Sequence, residues 1–375
     1  MRILAIESSC DETSAAIVEK NGDGIFVKSE LTATSLQMHA ATGGIIPENA
    51  ARMQLQYILP VIYNTILTSV DIQTNNKHQS NLLTPSEIKK ANIMLRSSID
   101  AIAVTYGPGL IGSLLVGVET AKTLAFAFNK KVIPVNHLLG HIYANFINSS
   151  NSKIPTMTNP FIGLVISGGH TDLLYFPGDT TFKWLGGTRD DAAGEAFDKI
   201  GRVLNLPYPA GAEIERRALL SEKSSIKFKS PIINEDNFDF SFSGLKSEAM
   251  RYAQKEELGI YLKSPEKLED PQYHLKLNET CSAVQKAIFD VVIKKTIRAA
   301  EKLNCNTILV GGGVSANNAL KEELGTRAMN LGIDVFFPPQ KYSTDNAAMI
   351  GAYAAIHPEL QSWENVGANP ELYFA

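Results

Sequence analysis

The sequence predicts an α/β protein built as two similar lobes, and three observations carry that expectation. Short apolar runs alternate with longer stretches of helical spacing. A strand–turn–strand pattern at 2–20 (ILAIESSCDETSAAIVEK) returns at 161–176 (FIGLVISGGHTDLLYF), and each is followed by a strand–glycine–helix unit, VTYGPGLIGSLL in the first half and LVGGGVSANNAL in the second. The length, 375 residues, suits about two domains of ~150 residues each. Two such lobes with a cleft between them accommodate the repeat.

Taken in order, RILAIES reads as a buried strand and AAIVEK as its hairpin partner across the polar turn SCDETS. Residues 47–70 show helical spacing with Pro47 in the first turn. The polar stretch 71–98 reads as a surface insertion. AIAVTY is a strand, SLLVGVETAKTLAFAF a buried helix and KVIPV a further strand. The uncharged run 101–118 is broken by Gly-Pro-Gly, which argues for strand, turn and helix rather than a membrane span. After a second polar loop at 148–160 come strands FIGLVIS and DLLYF, then helix DDAAGEAFDKIGRVL and the turn PYPAGAE. Residues 221–275 read as polar and irregular, and a long helix follows at about 276–303. Strand NTILV, loop GGGVSANN and helix ALKEELGTRAMNL form a βα unit. DVFFP is one more strand, and the last helix begins at Asp345.

Composition narrows the function. Hydrophobic residues make up 44%, charged residues 20%, and the formal net charge is −4. That balance excludes a protein held to nucleic acid or anionic membrane by a global basic field. Cys10, Cys281 and Cys305 are scattered without a CxxC pair, so neither a disulfide scaffold nor a thiolate zinc site is available. A reducing compartment is expected. The opening run ILAIESS is too short and acid-terminated to read as a signal peptide, so no targeting signal is expected.

Several motifs could carry chemistry. Gly107-Pro108-Gly109-Leu110-Ile111-Gly112 is a literal GxGxxG, yet the next strand ends without the acidic residue a ribose needs. A tight turn packing a helix on a sheet explains it better. His137 and His141 share one helical face at i, i+4 spacing, with Asn136 as a cap. The pair suits a cation, or serves as structural histidines; spacing alone leaves both open. Leu138 stands where HExxH would have its glutamate, and Asp345 is the candidate third ligand. The turns Ser167-Gly168-Gly169-His170-Thr171, Gly311-Gly312-Gly313 and Ser8–Ser14 each read as an ordinary tight turn or as a cradle for an anion. Four carboxylates crowd into Asp190–Lys199. Most suit the first turn of a solvated helix, but Asp198 lies beyond it and could bind a ribose hydroxyl.

IESSCDET, GGIIPE, VTYGPGLIGSLLVG, NHLLGH, LVISGGHT, DDAAGEAFDK, FSFSGLK, GGGVSAN and TDNAAMI occur in this order. Together they resemble the tRNA adenosine threonylcarbamoyltransferases, formerly labelled sialoglycoprotease-type endopeptidases, and most closely the bacterial and mitochondrial branch. The resemblance implies an actin/Hsp70/sugar-kinase-like duplicated two-lobe fold with a nucleotide cleft. Lobe I would span 1–134 and be completed by 345–375, lobe II would span 135–344, and 71–98 would be an insertion in lobe I. It implies transfer of a threonylcarbamoyl group from threonylcarbamoyl-adenylate to the exocyclic amine of the adenosine 3′ of the anticodon, with release of AMP. His137, His141 and Asp345 match the metal ligands, for one iron or zinc ion per subunit. Val165, Ile166, Ser167, Gly168, Gly169, Asp198, Gly211, Glu215 and Asn317 match substrate-binding positions. Asp11, Glu12 and His170 are the candidates for the base that takes the amine's proton.

The implied partners are the tRNA anticodon arm and companion proteins. These would be a paralogous actin-like subunit and a P-loop ATPase in a bacterium, or a second copy in mitochondria, with no membrane. A bacterial cytoplasm is the expected location and the mitochondrial matrix the alternative. Three departures stand out. Ala51-Arg52-Met53-Gln54 lacks the histidine usual in that segment, Ala210 and Ala212 replace common Gly and Pro, and 71–98 is longer than usual. A metallopeptidase and a nucleotide-binding assembly subunit are the alternative functions. Near-neutral charge predicts weak tRNA affinity for the chain alone, with Lys223, Lys227, Lys229 and Lys246 as the local basic patch.

Overall fold

The computed structural model describes residues 1–22, 24–35, 45–70, 83–148, 155, 160–178, 181–221, 225–230 and 232–374. It divides into two units, Met1–Pro155 with Pro338–Ala375, and Thr156–Phe337.

In the first unit, β1 (Arg2–Glu7) pairs antiparallel with β2 (Glu12–Asn21), and β2 pairs with β3 (Gly24–Thr34). On its other edge β1 pairs parallel with β4 (Ala101–Gly107), and β4 with β5 (Lys131–Asn136). The sheet order is therefore β3-β2-β1-β4-β5. Side chains of a strand alternate between faces, and each face is covered. Leu4, Ile6 and Ile17 join a core with Ile58, Ile62 and Ile66 of helix Pro47–Thr68. On the other face Gly351 of helix Ala347–Ile356 approaches Ala5 and Val18 so closely that a Cβ would collide with Val18.

The second unit repeats the plan. β6 (Phe161–Ile166), β7 (Thr171–Phe176) and β8 (Lys183–Gly187) form an antiparallel meander. β9 (Thr307–Gly311) and β10 (Asp334–Phe336) add in parallel beside β6. The order β8-β7-β6-β9-β10 matches the first sheet strand for strand. Helix Pro271–Lys302 buries Val284, Ile288 and Val292 in this unit's core, with Phe289 edge-on to Phe197 at 5.8 Å between centroids. The duplicated α/β fold expected from the repeat is thus present in both halves.

Several boundaries differ from expectation. The first unit runs to Pro155 and resumes at Pro338, not 134 and 345. The reason is local: helix His137–Tyr143 follows β5 directly and packs on helix Ala347–Ile356 of the same unit. Of the expected insertion, 71–82 lie outside the described residues. Pro85–Ser97 is a helix with a Thr84–Glu87 capping box, and it buries Ala91 and Leu95, so it belongs to the core rather than to a surface loop. The stretch read as irregular contains helix Ser243–Lys255. The turn PYPAGAE is shorter than expected, because helix Ala210–Leu219 starts inside it. Helix Ile111–Phe128 is long and apolar enough to cross a membrane by length and composition, but Leu114, Val118 and Ala121 are buried within the first unit.

Candidate functional site

The histidine pair is built by one short helix. Asn136 ends β5 and caps helix His137–Tyr143, its side-chain oxygen accepting from the N–H groups of Leu138 (2.9 Å) and Leu139 (3.4 Å). The i, i+4 spacing sets the His137 and His141 rings edge to face with centroids 4.7 Å apart. Asp345 comes from the loop before helix Ala347–Ile356, whose cap Asn346 accepts from Met349 N–H at 2.9 Å. Its Oδ1 lies 3.2 Å from His141 Nε2 and 3.5 Å from His137 Nε2. One ligand atom from each of the three lies within 4.8 Å of the others.

Behind this triad stands Glu7, at the end of β1. It is 1% exposed, and its Oε2 lies 3.0 Å from His137 Nδ1. Ser9 N–H (2.6 Å) and Thr105 Oγ1–H (2.5 Å) also donate to its carboxylate. A carboxylate on Nδ1 fixes the ring and leaves Nε2 to bind. Burial works against charge on Glu7, but the His137 ring holds its carboxyl below the ordinary value. Burial lowers His137 too, yet Glu7 and Asp345 raise it well above the usual imidazole range. His141 is lowered by burial, which keeps it a neutral donor.

Two imidazoles and a carboxylate on one face are a donor set for a transition metal or zinc. The orphaned nitrogens agree with that fit. Both ring nitrogens of His141 are buried without a hydrogen bond of good geometry among the described residues, although Nε2 is near Asp345.

Asp11 and Glu12 follow on the Ser8–Glu12 turn of the same unit. Asp11 is buried and Glu12 half-buried. Burial, with Asp345 and Asp11 adding to it, pushes the Glu12 carboxyl well above its ordinary value.

The other expected residues lie in the second unit. Val165 and Ile166 are 0% exposed, so only their backbone and the following turn can meet a ligand. Ser167 Oγ accepts from His170 N–H (3.1 Å), and Ser167 N–H donates to the His170 carbonyl (2.8 Å), closing the turn. A Cβ at Gly168 or Gly169 would meet no atom within 4 Å, so this turn faces open space. Gly312, at φ +97°, passes directly over the Ile166 carbonyl, where no side chain would fit. Asn317 caps helix Asn318–Met329 and donates to Gln285 Oε1 at 2.9 Å. Asp198 accepts from Ala210 N–H at 2.7 Å, and burial raises its pKa. Gly211 is open to space, and Glu215 accepts from Asn318 N–H at 2.7 Å. Asp198, Glu215 and Asn317 therefore hold two helix starts of one unit, at Ala210 and Asn318, and Asn317 ties the second to the middle of helix Pro271–Lys302.

Two motifs resolve differently. The GxGxxG glycines are filled by protein: a Cβ at Gly107 would strike the Asn369 carbonyl, and one at Gly109 would lie 2.6 Å from the Ser9 carbonyl. Asp190 and Asp191 precede helix Ala193–Val203 instead of lining its first turn. Asp190 accepts from Ser241 Oγ, Phe242 N–H and both Ser243 donors, and Asp191 pairs with Lys199 and Lys246. The acids thus hold the FSFSGLK segment, and Lys246 is engaged at 3.0 Å within the protein. Lys223 lies outside the described residues.

Comparison with known proteins supplies the family. The family model for tRNA N6-adenosine threonylcarbamoyltransferase matches residues 73–352. The chain is 42% identical over 352 residues to the tRNA N6-adenosine threonylcarbamoyltransferase of Moorella thermoacetica, covering 94% of this chain and 90% of that one. It is 40% identical over 377 residues to the protein of that name from Lacticaseibacillus casei, covering 99% and 97%. Among solved structures, HypF from T. kodakarensis superposes with TM-score 0.54 over 96% of this chain and 48% of its own, at 12% identity, a likeness of fold alone. The metallopeptidase and assembly-subunit alternatives find no support there. The chain belongs to the tRNA N6-adenosine threonylcarbamoyltransferases, transferases that modify adenosine in tRNA.

Proposed function

We propose that the donor is threonylcarbamoyl-adenylate and the acceptor the exocyclic amine of the adenosine 3′ of the anticodon, in tRNAs reading codons that start with A. The amine nitrogen bonds to the carbamoyl carbon, the carbon–oxygen bond to the phosphate breaks, AMP departs and the amine loses a proton. The observation that carries this reading is the triad of buried His137 and His141 with half-buried Asp345, oriented by Glu7. It would hold one divalent ion, iron or zinc, which when bound supplies Lewis acidity toward a carbonyl or phosphate oxygen.

The chain's own residues have separate tasks. Gly168 and Gly169 in the Ser167–His170 turn and the Gly311–Gly313 loop would offer backbone N–H groups for the phosphate. Asp198, Gly211, Glu215 and Asn317 would receive the nucleoside. An adenine amine is a weak nucleophile, so orientation and a nearby base supply much of the rate. Asp11, Glu12 and His170 are the candidates for that base. The acceptor base must leave its stack to react.

Companion proteins belong to the reading as well: an actin-like paralogue and a P-loop ATPase in a bacterial cytoplasm, or a second copy in a mitochondrial matrix. The net charge of −4 supports reliance on partners for tRNA affinity. Incubation with threonylcarbamoyl-adenylate and unmodified tRNA, followed by nucleoside analysis, tests the reaction. Modified adenosine with released AMP is expected, together with loss of both product and bound metal in His141→Ala. Full activity of a metal-free His141→Ala protein would overturn the metal assignment. Absence of product with all companions present would overturn the donor.

A further inference from the structure

Helix Pro47–Thr68 turns one face inward through Ala50, Gln54, Ile58, Val61, Ile62, Thr65 and Ile66. Gln54 is the long polar side chain on that stripe, in a place where an apolar residue would pack without cost. It is 1% exposed. Its Nε2 donates toward three carbonyl oxygens of the Ser8–Glu12 turn: Ser8 at 3.3 Å, Cys10 at 3.1 Å and Glu12 at 3.0 Å. Its Oε1 is buried without a partner among the described residues. The reverse amide orientation would set an oxygen against three carbonyl oxygens, so the donor end is the one that faces the turn.

The intervening carbonyls are taken by other elements. Leu110 N–H donates to Ser9 (2.8 Å), and Ser35 gives both its N–H (3.3 Å) and its hydroxyl (2.9 Å) to Asp11. Ser113 Oγ adds a bond to Cys10 at 2.9 Å. Every carbonyl from Ser8 to Glu12 therefore has a donor from outside the turn, and the two N–H groups of one side chain are shared among three of them. A turn held in this way carries its side chains in one arrangement.

We infer that Gln54 is a positioning residue for the transfer reaction, fixing the Ser8–Glu12 turn so that Asp11 and Glu12 are presented in their reactive geometry. This rests on the reading that the turn supplies the base. A misplacement of about 1 Å in such a group costs about 10²-fold in rate.

The test uses Gln54→Leu, which keeps the volume and removes the donors, and Gln54→His, which keeps one ring N–H. Cys10 lies in the turn and is partly accessible, whereas Cys281 and Cys305 are buried, so thiol labelling of the folded protein reports on the turn itself. Gln54→Leu is expected to lower kcat about 10²-fold, with KM for threonylcarbamoyl-adenylate and metal content unchanged. Cys10 labelling should quicken about tenfold as the turn opens locally. Gln54→His should fall between, and it carries the test if the leucine variant does not fold. Unchanged kcat, unchanged labelling, or a loss confined to KM would each overturn the inference. An Asp11→Asn/Glu12→Gln protein with full activity would overturn the base assignment instead, and would leave the labelling result standing.

Discussion

Tyr143 and His357 share a hydrogen bond of 2.7 Å between the phenol oxygen and Nε2, at the far ends of the two helices whose near ends carry the His137–His141–Asp345 triad. Helix His137–Tyr143 begins with one member of the triad and ends on the tyrosine. Helix Ala347–Ile356 begins just after Asp345 and is closed by His357. Tyr353 packs into the same cluster, edge-on to Tyr143 at 4.9 Å and tilted against His357 at 4.8 Å between centroids. Both members of the bond are buried, so neither can turn to water instead. Tyr143→Phe leaves His357 Nε2 without its partner and should cost about 1–3 kcal/mol. Denaturant unfolding of the two proteins measures the difference. A change below about 0.5 kcal/mol would show that the bond contributes little beyond the packing of the rings.

Glu7 is the second test. Glu7→Gln keeps the shape but removes the charge that orients and enriches His137. Loss of a partner of this kind typically weakens metal binding by about 10–100-fold. The size of the loss should depend on pH. With Glu7 present His137 is raised well above its ordinary value, so a metal must displace a proton that the carboxylate helps to hold. In Glu7→Gln that proton is held less tightly. The affinity gap should therefore be widest in alkaline solution and narrow in acid. Competition with a chelator across the pH range reads it, and a gap independent of pH would contradict the assigned role.

Glu30 offers a pH signature away from the ligands. It stands on β3, accepts from Ala348 N–H at 3.3 Å and is pushed by burial up to about 7. Its folded value is thus raised above the unfolded one. The associated stability is fully present below the unfolded value and is lost as pH rises through about 7. Each tenfold gain in proton affinity on folding is worth about 1.4 kcal/mol, so the whole effect is a few kcal/mol. Glu30→Gln should abolish this loss, leaving a flatter melting temperature from acid to alkaline pH and a more stable protein on the alkaline side. Parallel pH profiles for the two proteins would contradict it.

How much of the fold and the site is legible in the sequence depends on how local the cause is. The pairing of His137 with His141, the Asn136 cap and the strand-turn repeat depend on spacing within one element, and the structure has each of them. Glu7 escapes a sequence reading because its significance lies in contacts with Thr105 and His137, about a hundred residues away or more. An acid closing an otherwise apolar strand is the available hint. Gln54 is likewise visible as a polar residue in register with Ala50 and Ile58, but its three acceptors belong to another part of the chain. β3 alternates Ile25, Val27, Ser29, Leu31 and Ala33 with Phe26, Lys28, Glu30 and Thr32, a strand pattern hidden by its mixed polarity. Asp190 and Asp191 mislead for the opposite reason. Acids near a helix start have a sufficient local explanation, and nothing nearby in sequence announces that Ser241, Phe242 and Ser243 are the partners of Asp190.

The last prediction addresses the second unit's turn. Gly194, near the start of helix Ala193–Val203, faces the Ser167–Gly168 backbone, and its N–H donates to the Ser167 carbonyl at 3.1 Å. A Cβ there would lie 2.6 Å from that carbonyl oxygen and 2.8 Å from Gly168 Cα. These are backbone atoms, so the contact cannot be relieved by a side-chain rotation. Alanine is otherwise the better helix former by about 1 kcal/mol, so the helix itself gives no reason for the substitution to harm. Gly194→Ala should therefore displace the turn while leaving the helix intact. If the turn binds the donor's phosphate, KM for threonylcarbamoyl-adenylate should rise by at least about tenfold, the equivalent of some 1.4 kcal/mol of binding. Metal content, set in the other unit, should stay at its normal level. A variant with normal KM and normal kcat would mean that the turn's open glycine face is not where the donor binds.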